Sequence, residues 1–189
     1  HKEDLKVDEK ILKGHIIHLL ETSLPEHFDD RGLQLSGKEG EFINVGRGKG
    51  ITTFIDQDIF CEISKEMNED LQIIKIKLYE IDLISLYRSA GKSHIETLNS
   101  LMRMIDPSRP TLITGDFNVC LLKHPKNIIT KTLAELGYKQ LIKEATHVLG
   151  GHIDHTYWRD PTDEMGDPWI ETYSPYYSDH DALLITLQR

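Results

Sequence analysis

The stretch Leu112-Ile113-Thr114-Gly115-Asp116-Phe117-Asn118 constrains this chain most. A short apolar run ends in glycine, and a carboxylate and a carboxamide then stand one residue apart. Successive side chains of an extended strand point to opposite faces, so Asp116 and Asn118 share one side and Phe117 takes the other. A buried strand that delivers an acid and an amide to its C-terminal rim suits phosphate chemistry. The aspartate can take a proton or hold a metal, and the amide can orient an oxygen. A strand followed by an ordinary Asp-Asn turn fits the same letters, so the decision rests on the rest of the chain.

Before this stretch, Glu3 to Lys13 reads as the end of a helix closed by Gly14. His15 to Leu20 is apolar enough for a buried strand, and it ends on Glu21. Pro25 to Gly40 reads as a loop, and Glu41 to Val45 and Ile51 to Ile55 as strands. Between them, Gly46-Arg47-Gly48-Lys49-Gly50 lacks both the dinucleotide fingerprint and the Walker spacing. It reads as a turn that sets two cations near a loop edge. Leu71 to Leu78 and Leu83 to Ser89 form two strands joined at Glu80-Ile81-Asp82. The second ends in Tyr87 and Arg88, both able to hydrogen-bond phosphate oxygens.

Ser93-His94-Ile95-Glu96 is a capping box, with an apolar stripe at Ile95, Leu98, Met102 and Ile105 behind it. Asn127 caps a second helix that Gly137 closes. A strand begins at Ile153, and two more run from Trp169 to Tyr173 and from Ala182 to Leu187. Strands outnumber helices, yet helices separate several of them, which favours a layered α/β or α+β domain. The chain of 189 residues is long enough for one such domain.

The formal net charge of −9 argues against a surface that binds nucleic acid all over. It leaves room for an acidic, metal-loaded centre with a local basic rim. Arg47, Lys49, Arg88 and His155 are the candidate substrate contacts. Two cysteines, Cys61 and Cys120, make no disulfide framework, and a reducing, intracellular setting is the simpler expectation, the nucleus included. No apolar run is long enough to cross a membrane.

The last third is rich in histidine and aspartate. A zinc site from His147, His152 and His155 matches no common spacing. Acid–base chemistry fits better. Asp179-His180 sits at the mouth of the final strand and Asp154 begins another. A carboxylate bonded to one imidazole nitrogen fixes the tautomer and raises the basicity of the other.

Glu21, Tyr87, Gly115-Asp116-Phe117-Asn118, Ile153-Asp154-His155 and Ser178-Asp179-His180 follow in an order that resembles the endonuclease/exonuclease/phosphatase superfamily, the DNase I-like group that includes AP endonucleases. Tyr138 to Tyr157 is most similar to endonuclease domains of non-LTR retrotransposons and related mobile elements. The resemblance implies a four-layer α/β sandwich with two packed mixed β-sheets across residues 1–189. It implies Glu21 and Asp179 as ligands of Mg²⁺, with Mn²⁺ as a substitute. It implies Tyr87 as a contact of the scissile phosphate, Asp116 as the residue that orients or deprotonates water, and Asn118 as the amide that holds the phosphate. His180, steadied by Asp154, is implied to support in-line displacement.

One departure stands out. Members of the superfamily begin with a strand whose Asn joins the Glu at the metal, and that strand is not found ahead of the first helix. The expectation is a domain truncated at its N-terminus. The expected function is metal-dependent phosphodiester cleavage, most readily of DNA. A phosphatase or small-nucleotide phosphodiesterase of the same fold, and a non-catalytic interaction domain that kept the fold, are the alternatives.

Overall fold

A computed structural model describes residues 2–24, 34–44, 46 and 49–187. Two short helices, α1 (Lys2–Leu5) and α2 (Glu9–Leu12), take the place of the single helix expected at the start. Asp8 separates them, because its side chain accepts the N–H groups of Lys10 and Ile11 as the N-cap of α2. Strands β1 (Ile16–Leu20), β2 (Lys38–Ile43) and β3 (Ile51–Asp56) form an antiparallel sheet in the order β1-β3-β2. β2 thus begins inside the segment expected to be loop.

Six strands make the large sheet: β4 (Glu62–Met67), β5 (Leu71–Lys77), β6 (Asp82–Arg88), β7 (Thr111–Asp116), β8 (Lys139–Gln140) and β9 (Asp154–Arg159). Their order is β4-β5-β6-β7-β9-β8, with β6 and β7 parallel and the remaining pairs antiparallel. The parallel pair is possible because helix α3 (His94–Met104) carries the chain back between its strands. Ser93 caps α3 and Asn127 caps α4 (Ile128–Glu135), as their side-chain chemistry requires. Strands β10 (Trp169–Tyr173) and β11 (Ala182–Thr186) pair antiparallel as a separate ribbon. β4 escaped the sequence reading because it is a charged edge strand; such strands carry little apolar signal. Among the described residues no helix is long and apolar enough to cross a membrane.

Three apolar clusters set the layers. Leu98 and Leu101 of α3 and Ile129 and Leu133 of α4 pack against Ile73, Ile84, Leu86, Ile113 and Tyr157 on one face of the large sheet. Ile74, Ile76, Leu83, Leu112 and Trp158, on its other face, meet Ile43, Ile51 and Ile55, with Ile16, Leu20 and Ile185 at the margin. Leu5, Ile17 and Phe54 join the outer face of the smaller sheet to α1 and α2. The chain is therefore a four-layer α/β sandwich. Each fully buried aliphatic or aromatic side chain contributes about 1.5–3 kcal/mol.

Strand alternation divides the candidate residues between two faces. Tyr87 lies with the cluster between the sheets, whereas Arg88, one residue on, falls on the helix side and is 2% exposed. In the same way His155 turns away from the face of Trp158 and stacks on Phe117, with ring centroids 4.6 Å apart. Its Nε2 donates to the Val119 carbonyl at 2.8 Å, and its Nδ1 accepts from the Tyr157 hydroxyl at 3.2 Å. Arg88 and His155 were expected to touch substrate; both are instead interior residues. The physical reason is the period of two along a strand, which puts neighbours on opposite faces.

Gly115 permits the close approach of β6 and β7. Its φ is +143°, and a Cβ there would lie 1.9 Å from the Leu86 carbonyl oxygen. Gly115→Ala is therefore expected to destabilise the fold by about 3 kcal/mol or more, read as a lowered urea midpoint; an unchanged midpoint would show that the strands can part without cost. Burial also pushes His155 down to about 4 from 6.5. Between those values the unfolded chain binds a proton that the folded chain refuses. This contribution is fully present above pH 6.5 and is lost, at up to about 1.4 kcal/mol per pH unit, as pH falls toward 4. Urea unfolding at several pH values checks the slope, and an NMR titration of His155 near 6.5 in the folded protein would sink the assignment.

Candidate active site

Three strand ends line up to build the rim. Tyr87 on β6 is the register partner of Asp116 on β7, and Asp116 is the partner of Asp154 on β9. All three lie on the face toward the second sheet. Glu21 arrives from the end of β1, on the opposing sheet, with a left-handed backbone (φ +52°). The Tyr87 hydroxyl hydrogen-bonds its carboxylate, and burial together with that carboxylate pushes the Tyr87 phenol well up.

Asp116 is 2% exposed. Burial first, then the neighbouring Asp154 carboxylate and, more weakly, Glu21, drive its proton affinity up. Asn118 works against that rise. Its backbone N–H donates to Asp116 Oδ1 at 2.7 Å and its Nδ2 donates to Oδ2 at 2.9 Å. The second Nδ2 hydrogen goes to the Arg88 carbonyl at 2.9 Å. Both amide hydrogens are thus spent inside the protein, and in this arrangement the amide orients Asp116 rather than reaching outward.

His180 comes from the loop before β11. Its Nδ1 donates to Asp154 Oδ2 at 2.9 Å. That bond, opposed by burial and aided by Asp116 and Asp179, raises the proton affinity of the imidazole. Asp154 is fixed in turn by Thr146, whose hydroxyl donates to Oδ2 at 2.6 Å and accepts the Asp154 N–H at 3.2 Å. Thr146 is fully buried. Its part was missed in the sequence, because nothing in a lone Thr-His pair tells which carboxylate the hydroxyl will meet.

Backbone bonds stitch the two loops together. The Asp181 N–H donates to the Thr146 carbonyl at 2.7 Å, and the Val148 N–H to the Asp179 carbonyl at 2.9 Å. Tyr173 and Tyr177 both donate to Asp8 Oδ2, at 2.8 and 2.6 Å, which moors the loop to the N-terminal helices.

Asp179 is exposed and lies 3.6 Å from His147 Nε2. His147, Asp179 and His180 offer ligand atoms within 4.8 Å of one another. His147 Nδ1, however, accepts the Leu149 N–H at 3.1 Å, so the neutral ring carries its proton on Nε2, where a metal would need a lone pair. His152 and His155 are buried and bonded elsewhere, His152 to Gln140 at 3.2 Å, so the three-histidine zinc arrangement does not form. The carboxylates of Glu21 and Asp179 offer oxygen donors, the kind that Mg²⁺ takes.

Lys49 runs beside the Glu21 loop, its carbonyl accepting the Ser23 N–H, but its ammonium bonds the Glu69 carbonyl at 2.7 Å and pairs with Asp70. It is thereby held by the β4–β5 turn. Arg47 lies outside the described residues. Cys61 and Cys120 are free thiols, both half-buried.

The sequence matches no protein-family model and no curated protein sequence. Solved structures are similar over almost the whole chain. The endonuclease domain of TRAS1, a telomere-specific non-LTR retrotransposon, superposes with a TM-score of 0.68 at 18% identity, covering 98% of this chain and 92% of that one. An endonuclease/exonuclease/phosphatase family protein from Leptotrichia buccalis gives 0.62 at 11% identity, over 100% and 93%. TDP2 from C. elegans gives 0.63 at 15%, over 96% of this chain and 68% of that one. Identities this low speak for architecture, and on that ground the chain has the endonuclease/exonuclease/phosphatase, or DNase I-like, fold.

Proposed function

We propose that this chain hydrolyses phosphodiester bonds of DNA with a divalent cation, as an AP-endonuclease-like or mobile-element nicking domain. The observation that carries the reading is the single rim on which Tyr87, Asp116 and Asp154 stand in register, with Glu21 and His180 within electrostatic reach of Asp116. The similarity to an endonuclease domain supports a hydrolase acting on phosphate esters.

Asp116, with its raised proton affinity, is suited to take the proton of an attacking water. The water oxygen forms the new bond to phosphorus as the bond to the leaving oxygen breaks. Tyr87 donates toward a phosphoryl oxygen once its hydroxyl leaves Glu21. His180 presents Nε2 to the phosphoryl group, held in direction by Asp154 and stabilising the developing charge when protonated. The Asp154 and Glu21 carboxylates both raise the proton affinity of Asp116. A divalent cation bound beside Asp116 would offset that crowding of negative charge, with Glu21 and Asp179 as the residues proposed to hold it. When bound, Mg²⁺ or Mn²⁺ neutralises charge on the phosphoryl oxygens.

The net charge of −9 keeps a small phosphoester in view as the substrate of the same rim. A domain kept only for interaction has no use for a buried acid facing other carboxylates, a costly arrangement without chemistry.

Nicking of supercoiled plasmid, with Mg²⁺ and with EDTA, tests the proposal. Asp116→Ala and His180→Ala are each expected to lower the rate about 10²–10⁴-fold with the fold intact by circular dichroism. Cleavage of a nucleotide phosphoester without nicking by the parent chain selects the small-substrate reading. Absence of both activities, at saturating metal, rejects the enzyme.

A further inference from the structure

We infer that Arg88 is a positioning residue: from the far side of the large sheet it holds the Phe117–Asn118 turn so that Asn118 can fix both oxygens of Asp116. The inference rests on the proposed role of Asp116.

Arg88 is a cation with 2% of its surface in water. Burying such a charge costs several kcal/mol unless its donors are met. Among the described residues no carboxylate lies within ion-pair distance of it; its partners are backbone carbonyls. Nη1 donates to the Phe117 carbonyl at 2.7 Å and lies 3.5 Å from that of Asn118. Nη2 donates to the Lys92 carbonyl. Nε has no partner among the described atoms. An arginine left with one unmet donor is poorly placed for stability alone. It is well placed to span two loops, the one leaving β6 and the turn leaving β7.

The return contact closes a ring. Asn118 Nδ2 donates to the Arg88 carbonyl at 2.9 Å, so each residue grips the other's backbone. Asn118 sits at φ +49°, a left-handed conformation that asparagine tolerates but that the surroundings must hold. With the turn so held, the Asn118 N–H and Nδ2 both reach Asp116. The chain of contacts therefore runs from guanidinium to turn carbonyls, from turn to Asn118, and from Asn118 to the carboxylate. Direct contact between Arg88 and a bound phosphate is opposed by its burial and by its place on the face opposite Tyr87.

Two measurements on the whole chain decide the matter. In plasmid nicking with Mg²⁺, Arg88→Met is expected to lower kcat about 10–100-fold while KM for DNA stays within about twofold. Arg88→Lys, which keeps a donor to the Phe117 carbonyl, recovers most of the loss. A folded Met variant with unchanged kcat, or one whose KM rises while kcat holds, overturns the inference. The second measurement needs no activity. Amide exchange of the Asn118 N–H is expected to quicken at least about tenfold in Arg88→Met while the β9 amides keep their protection; equal protection at Asn118 overturns the inference. If the parent chain cleaves no phosphodiester, the function proposed above fails, and the exchange result alone decides the Arg88 clamp. Should Arg88→Met not fold, Arg88→Gln, which retains one carbonyl-directed donor, is read by the same two measurements.

Discussion

A carboxylate almost sealed from water and set beside other carboxylates has to be supplied with donors, and the Asp116–Asn118 contact does this. Two N–H groups from one residue meet the two oxygens of Asp116, at 2.7 and 2.9 Å. Without them burial and the Asp154 and Glu21 charges would drive the group further toward its neutral form. The turn that brings Asn118 back onto its neighbour depends on a left-handed residue, and that residue depends on the carbonyl grip of Arg88. The geometry of the rim is thereby built on packing beneath it.

The sandwich explains why the rim exists at all. β6, β7 and β9 run side by side, and the parallel pairing of β6 with β7 brings Tyr87 level with Asp116. Gly115 allows it, since any side chain there would strike the Leu86 carbonyl. The opposing sheet then contributes Glu21, and the loop before β11 contributes His180. Residues distant in sequence converge because two sheets pack face to face and end at the same edge.

Electrostatics separates the histidines of the last third. His180 is held on Asp154 and its proton affinity rises; His155 is sealed under Phe117 and its falls to about 4. The two imidazoles have the same chemistry in isolation. One shares a carboxylate that stabilises its charged form, and the other bonds a carbonyl and a hydroxyl in an apolar layer where burial dominates.

Much of this architecture was legible from local chemistry. The caps at Ser93 and Asn127 and the apolar runs of β1, β5, β6 and β7 follow from side-chain type and spacing; Asn118, expected to join Asp116 by strand alternation, meets it instead through a left-handed turn past the end of β7. The charged edge strand β4 was not legible, since it buries too little to mark itself. Nor was the fate of Arg88 and His155. The strands that carry them are buried on both faces, so their letters do not say which face meets helices and which meets the second sheet. The sequence by itself determined which residues could do chemistry at a strand end. Only the tertiary structure decided which of them face the rim, because that choice depends on what packs against each face.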